Sequence, residues 1–145
     1  RWVVLVLDAS VLWELDCAFC RENAASRSVT QIPLNERKRF SALEAMFGDL
    51  PNCRRQELNI PDNYPTHPQA EVLVFEPIPV SYIREIHFRD KADIMEPRVN
   101  FPELLSPMAC CISELYFGPR QDWPFWRNQP YSEILLDQDI LDAPF

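Results

Sequence analysis

Fourteen prolines against two glycines limit every element this chain can form. Proline fixes φ and removes a backbone donor, so helices and central strands must fit between prolines. The expected result is short elements joined by stiff loops, not a bundle of long helices. A regular doubly wound sheet would also need more helices and more glycine at its turns. Of the 145 residues 47% are apolar and 25% charged, which suffices for one domain-sized core and is unlike a disordered chain.

Several function classes are disfavoured at once. A net charge of −8 opposes broad contact with phosphates, although a locally basic nucleic-acid site remains compatible with it. No apolar run reaches the length of a membrane span, so a soluble cytoplasmic protein is expected. Five cysteines, two of them adjacent (Cys110 and Cys111), do not suit a secreted disulfide framework. Cys17 and Cys20 have C-x-x-C spacing, but zinc needs further ligands, and Cys53, His67 and the Cys110–Cys111 pair are scattered. Buried thiols are the expectation, with no metal. Two histidines (His67 and His87) support no Ser-His-Asp arrangement, and two glycines build no phosphate loop. The chain opens on a strand-like run without an initiator Met, so a longer parent protein with an upstream part is expected.

Trp2 to Leu7 reads as a buried strand, broken by Asp8-Ala9-Ser10. Val11 to Asp16 suits a short strand or a helical turn, and Cys17 to Thr30 an ordered loop. Asn35 suits the N-cap of a helix from Glu36 to Phe47, with Phe40, Leu43, Met46 and Phe47 as its apolar stripe. Asp49 to Ala70 has no periodicity and holds four prolines. Loops of this length in compact domains are commonly functional. Glu71 to Phe75 reads as a second buried strand, and Arg84 to Arg89 as an edge-like one. Pro102 to Leu105 suits a helical turn, and Met108 to Phe117 either strand or helix. Tyr116 to Trp123 suggests a turn with a charged pair. Trp123, Phe125 and Trp126 should clamp the tail, and Glu133 to Asp142 should form a solvated acidic face. The fold class is α+β, with mixed small sheets, one clear helix and long loops.

Glu71 is the unusual group. Alternation places it with Leu73 and Phe75, half-buried at the mouth of a strand. A carboxylate there is either paired, with Arg54 or Arg84, or used in chemistry.

The order of segments around Glu71 carries a resemblance. Asn23-Ala24-Ala25-Ser26, then a helix, a long loop and Gln69-Ala70-Glu71-Val72-Leu73-Val74, is similar to the DarT family of toxins. Ile78-Pro79-Val80-Ser81-Tyr82-Ile83-Arg84-Glu85-Ile86 looks like the stretch that follows that family's catalytic strand. The resemblance covers roughly Trp2 to Phe88. It implies an ADP-ribosyltransferase-like fold and NAD-dependent modification of a base in nucleic acid, typically thymidine in single-stranded DNA. It implies further that residues 1–90 are the C-terminal part of the catalytic domain, with the family's NAD-binding histidine and arginine upstream. Residues 91–145 would be an extension packed on that part.

By the same resemblance Glu71 is the catalytic carboxylate and Asn23 lies toward NAD. The loop before Glu71 corresponds to the substrate-recognition loop. There Tyr64 could stack on a base, His67 could hydrogen-bond it, and Arg54 and Arg55 could hold phosphates, with Gln69 also on the substrate side. The ordinary alternatives are a turn role for Asn23, packing for Tyr64, and solvation for His67 and the arginines. The partners implied are single-stranded DNA or RNA and a cognate antitoxin, in a toxin–antitoxin or phage-defence setting. Two other readings are a non-catalytic interaction module and an ADP-ribosyltransferase of protein or RNA.

Overall fold

The computed structural model describes residues 2–100, 102–105, 109–113 and 115–127. The expected acidic face from Glu133 to Asp142 lies outside them. The elements run β1 (Val4–Leu7), α1 (Val11–Glu14), β2 (Cys17–Cys20), α2 (Arg27–Thr30), α3 (Leu34–Arg37), α4 (Phe40–Ala45), β3 (Glu71–Val74), β4 (Ile83–Phe88), α5 (Lys91–Asn100), α6 (Pro102–Leu105), β5 (Ala109–Ile112) and α7 (Trp123–Arg127). This is a small α+β architecture with two small sheets and short helices, the element size that the prolines dictate. Among the described residues no helix is long and apolar enough to cross a membrane.

The chain forms two compact units. Unit 1 comprises Arg1–Phe19 and Val72–Pro119. Its main sheet has the order β1-β4-β5. β1 runs antiparallel to β4 (Val4 opposite His87), and β5 runs parallel to it (His87 opposite Cys111). Ile86, Phe88 and Ile94 form a buried cluster, with Ile83 and Cys110 packed against it. Asp90 Oδ1 accepts the Asp93 N–H at 3.0 Å and so caps the start of α5. Arg84 pairs with Asp8. The Asp8 carboxyl is held down at about 2, chiefly by the Ser10 N–H and then by Arg84.

Unit 2 comprises Cys20–Glu71 and, among the described residues, 120–127. Its buried residues include Cys20, Val29, Met46, Cys53, Leu58, Thr66 and Asp122. A short 3-10 turn (Arg55–Leu58) ends at Asn59, whose φ of 49° is left-handed, a conformation asparagine tolerates better than most residues.

Three expectations about elements need correction, and one helix has no counterpart in the sequence reading. Cys17–Cys20 is a strand, buried at all four positions and paired with β3, not loop. Small Cys and Ala side chains carry little strand signal but fit where strands are covered on both faces. The single helix Glu36–Phe47 is two helices, because Arg39 adopts extended backbone (ψ 153°) between α3 and α4. Asn35 therefore lies inside α3 and is no cap, and Phe40 is 69% exposed while Met46 is buried, so the stripe is not one face. The strand read as edge-like is the centre of its sheet, flanked by β1 and β5; its alternation misleads because polar His87 is buried, with Tyr116 packed edge-on against it. Lys91–Asn100 is a helix that Pro97 hid from the sequence pattern.

Candidate active site

Unit 2 brings Glu71 against the Asn23 turn. Asn23 Oδ1 accepts the Ala25 N–H at 2.8 Å, and its backbone carbonyl accepts the Ser26 N–H at 2.9 Å. A short polar side chain that bonds the backbone two residues on is the usual way to fix such a turn. That leaves the Ala24 N–H pointing outward, where Glu71 Oε1 accepts it. The two segments, 47 residues apart in sequence, thus meet through one charge-assisted hydrogen bond. Glu71 is exposed, not half-buried as expected. Among the described residues no Lys, Arg or His forms an ion pair with it, and Arg84, the partner considered from sequence, is committed to Asp8.

The loop before Glu71 is ordered by its own arginine. Arg55 donates to Thr66 Oγ1 (3.1 Å), the Pro61 carbonyl (2.8 Å) and the Asp62 carbonyl (3.0 Å). Its backbone N–H meets Asp49 Oδ1 at 2.8 Å, and its guanidinium lies over the Phe47 ring. These bonds turn Arg55 inward as the loop's organiser. Thr66 is fully buried and bonds the Gly48 carbonyl through Oγ1 (2.8 Å) and the Met46 carbonyl through its N–H (2.8 Å). Arg54 stays exposed beside the 3-10 turn. Gln69 is also exposed, and its N–H donates to His67 Nδ1 at 3.1 Å.

Three residues that the sequence reading left outside the site join this loop. Arg120 makes a two-pronged pair with Asp122 (3.0 and 2.7 Å) and donates to the Pro65 and Thr66 carbonyls (2.9 and 3.2 Å). Its guanidinium sits 5.8 Å from the Tyr64 ring centroid. Buried Asp122 also accepts the Trp126 indole N–H at 2.6 Å. Trp126 in turn packs edge-on against His67, with centroids 4.8 Å apart. Arg120 and Asp122 are the charged pair expected in the turn; of the expected clamp, Trp126 packs on the loop and Phe125 on Trp126, while Trp123 is 46% exposed. Tyr64, His67, Arg120 and Trp126 together form a half-buried aromatic and cationic shelf.

Further along unit 2, Arg21 and Arg37 are half-buried, and each has a buried Nε without a hydrogen-bond partner. Arg21 directly precedes the turn segment by two residues.

A family model described as "ssDNA thymidine ADP-ribosyltransferase, DarT" matches residues 1–107. The chain belongs to the DarT family. A search of curated proteins finds no match. In this DarT chain the matched region holds Asn23, Glu71 and the whole loop between them, and it runs past Phe88, where the resemblance read from sequence ended. Arg120, Asp122 and Trp126 lie beyond the matched region.

The shelf has a pH signature. Burial lowers the His67 pKa below its ordinary value; Glu22 and Asp122 raise it again and Arg120 depresses it further. His67 is therefore neutral at pH 7, accepting on Nδ1 and free to donate from Nε2. The unfolded chain takes up this proton before the folded one does. Stability from this group is full above about pH 6.5 and falls as pH drops through that value toward the lower folded pKa. His67→Phe should flatten that part of the profile. Melting temperatures of both proteins between about pH 8 and pH 5 test it, and parallel profiles would contradict the assignment.

Proposed function

We propose that this chain carries the catalytic carboxylate and the base-recognition loop of an NAD-dependent ADP-ribosyltransferase that modifies thymidine in single-stranded DNA. The fold would be of the ADP-ribosyltransferase type, with residues 1–90 forming the C-terminal part of its catalytic domain and residues 91–145 an extension packed on it. The observation that carries the reading is Glu71, an exposed carboxylate held by the Ala24 N–H with no cation paired to it among the described residues.

NAD would supply the ADP-ribosyl group as its nicotinamide–ribose bond breaks and positive charge develops on the ribose. The residues present suit such a cosubstrate. The unpartnered Nε atoms of Arg21 and Arg37 are donors for an anionic group, and Asn23 holds the turn against which Glu71 is set. Glu71 lends its negative charge to the ribose side of the reacting bond. The only ring N–H of a thymine base must lose its proton as the new bond forms, and Glu71 is the carboxylate at hand to accept it. Ala24 fixes one carboxylate oxygen and leaves the other for this work.

Substrate recognition falls to the loop. Tyr64 and Trp126 offer faces for a base, His67 Nε2 and Gln69 offer hydrogen bonds, and exposed Arg54 offers a phosphate contact. Arg55 acts as a positioning residue that holds the loop's shape. A toxin or phage-defence role in the cytoplasm follows from such chemistry, with a cognate antitoxin that blocks or reverses it.

The test uses the protein, including any residues that precede Arg1, with NAD labelled in its adenylate part. Label should pass to single-stranded oligonucleotides containing thymidine, and not to those lacking it or to a duplex. Transfer to protein or RNA instead would reassign the target. No transfer to any of these, with folded protein, would leave a binding module as the better reading.

A further inference from the structure

Glu85, His87 and Cys111, in unit 1, take no part in the function proposed above. Strand register assembles them. Glu85 and His87 are two apart on β4 and so share a face of the sheet. The parallel pairing of His87 with Cys111 puts the thiol beside the imidazole on that face. One donor atom of each of the three residues lies within 4.8 Å of the others.

The protein's own bonding does not use this cluster up. His87 is 7% exposed, and Tyr116 packs edge-on against its ring at 4.6 Å. Glu85 Oε2 meets His87 Nε2 at 2.6 Å, but Nδ1 is buried and has no partner. A buried ring nitrogen without a partner carries a desolvation cost that a bound ion can remove. Cys111 adds a thiol that is half-buried and not in a disulfide.

We propose that Glu85, His87 and Cys111 bind a divalent ion of the zinc class. Thiolate, imidazole and carboxylate are the three donor types that zinc accepts, and the thiolate selects against magnesium and calcium. A tetrahedral ion with bonds of about 2.0–2.3 Å holds its donors about 3.5 Å apart. The widest spacing exceeds that by about 1.3 Å, and the Glu85–His87 contact at 2.6 Å is tighter than it, so side-chain rotation must open that hydrogen bond, the ion taking the place of its proton, and bring the thiol in. On binding, the thiol proton passes to solvent and a metal–sulfur bond forms, with no redox change. The ion ties β4 to β5, the one parallel pairing in the sheet, and a water completes its coordination.

The experiment takes chelator-treated protein and titrates it with Co2+ as a spectroscopic stand-in for Zn2+. About one equivalent should bind, with a thiolate charge-transfer band and the visible absorption of a tetrahedral site. Added Zn2+ should displace it and raise the melting temperature by about 5 °C or more. Cys111→Ser and His87→Gln should lose the band while circular dichroism shows them folded. Cys110→Ser should keep it, because Cys110 packs on the opposite side against Ile86 and Phe88. Should either ligand variant unfold, the wild-type titration decides. Absence of a stoichiometric thiolate band in the wild type overturns the proposal, and so does a band that survives in folded Cys111→Ser.

Discussion

Glu71→Gln should lower ADP-ribosyl transfer by on the order of a thousandfold while leaving the fold intact. The substitution separates charge from geometry. A glutamine side chain keeps an oxygen that can accept the Ala24 N–H, so the link to the Asn23 turn survives. It removes the negative charge that would face the ribose and the base that would take the thymine proton. Because Glu71 is exposed and has no ion-pair partner among the described residues, folding stability should change by no more than about 0.5 kcal/mol. Glu71→Ala loses the tether as well as the charge. If the carboxylate acts only by holding the turn, Gln should behave as wild type and Ala should fail. If it acts in the chemistry, both should fail alike, with unchanged melting temperatures. Single-turnover transfer of labelled ADP-ribose to a thymidine oligonucleotide distinguishes these cases, and near-wild-type rates in both variants would remove Glu71 from the mechanism.

How far this site can be read from sequence depends on how local its causes are. β1 and β3 are legible as strands because runs such as Val3-Val4-Leu5-Val6-Leu7 and Val72-Leu73-Val74 have one sensible conformation, but their expected burial is not met, with Leu5 47% and Phe75 49% exposed. The same holds for Glu71, whose oddity is visible in the four apolar residues that follow it. β2 is not legible, because Cys17-Ala18-Phe19-Cys20 becomes a strand only once β3 lies beside it. The helix break at Arg39 has no local signal in a stretch of good helix formers. Just before it, Arg37 donates to the Cys20 sulfur at 3.8 Å, a contact that belongs to tertiary structure. The substrate loop divides along the same line. Tyr64, His67 and the arginines can be picked out by residue type. That Arg55 is tied up by Pro61, Asp62 and Thr66 cannot, nor can the bond from Arg120 to the Pro65 carbonyl across 55 residues. The metal-type cluster is invisible for a further reason. A parallel strand pair has no hairpin to announce it, so the register of His87 with Cys111 is set only by the fold.

Asp122→Ala should destabilise unit 2 by about 3–5 kcal/mol, the cost of leaving a cation without its buried partner. The Asp122 side chain is fully buried and Arg120 is 19% exposed, so solvent gives the pair little relief. Asp122 satisfies three donors at once: Arg120 Nε and a terminal guanidinium nitrogen, and the Trp126 indole N–H. Alanine orphans all three. Asp122→Asn keeps the shape and one acceptor oxygen but not the charge, and should fall between alanine and wild type. Removing both partners in Arg120→Met/Asp122→Leu should recover much of the loss, since the penalty lies in the unpaired charge more than in the missing bond. What the double variant cannot restore is the pair of hydrogen bonds from Arg120 to the Pro65 and Thr66 carbonyls. Those bonds set the backbone between Tyr64 and His67. The double variant should therefore fold well and still bind oligonucleotide poorly, whereas Asp122→Ala should fail in both. Urea unfolding followed by oligonucleotide binding on each variant separates the two effects. An Asp122→Ala protein within about 0.5 kcal/mol of wild type would mean that the pair is not the element holding the loop.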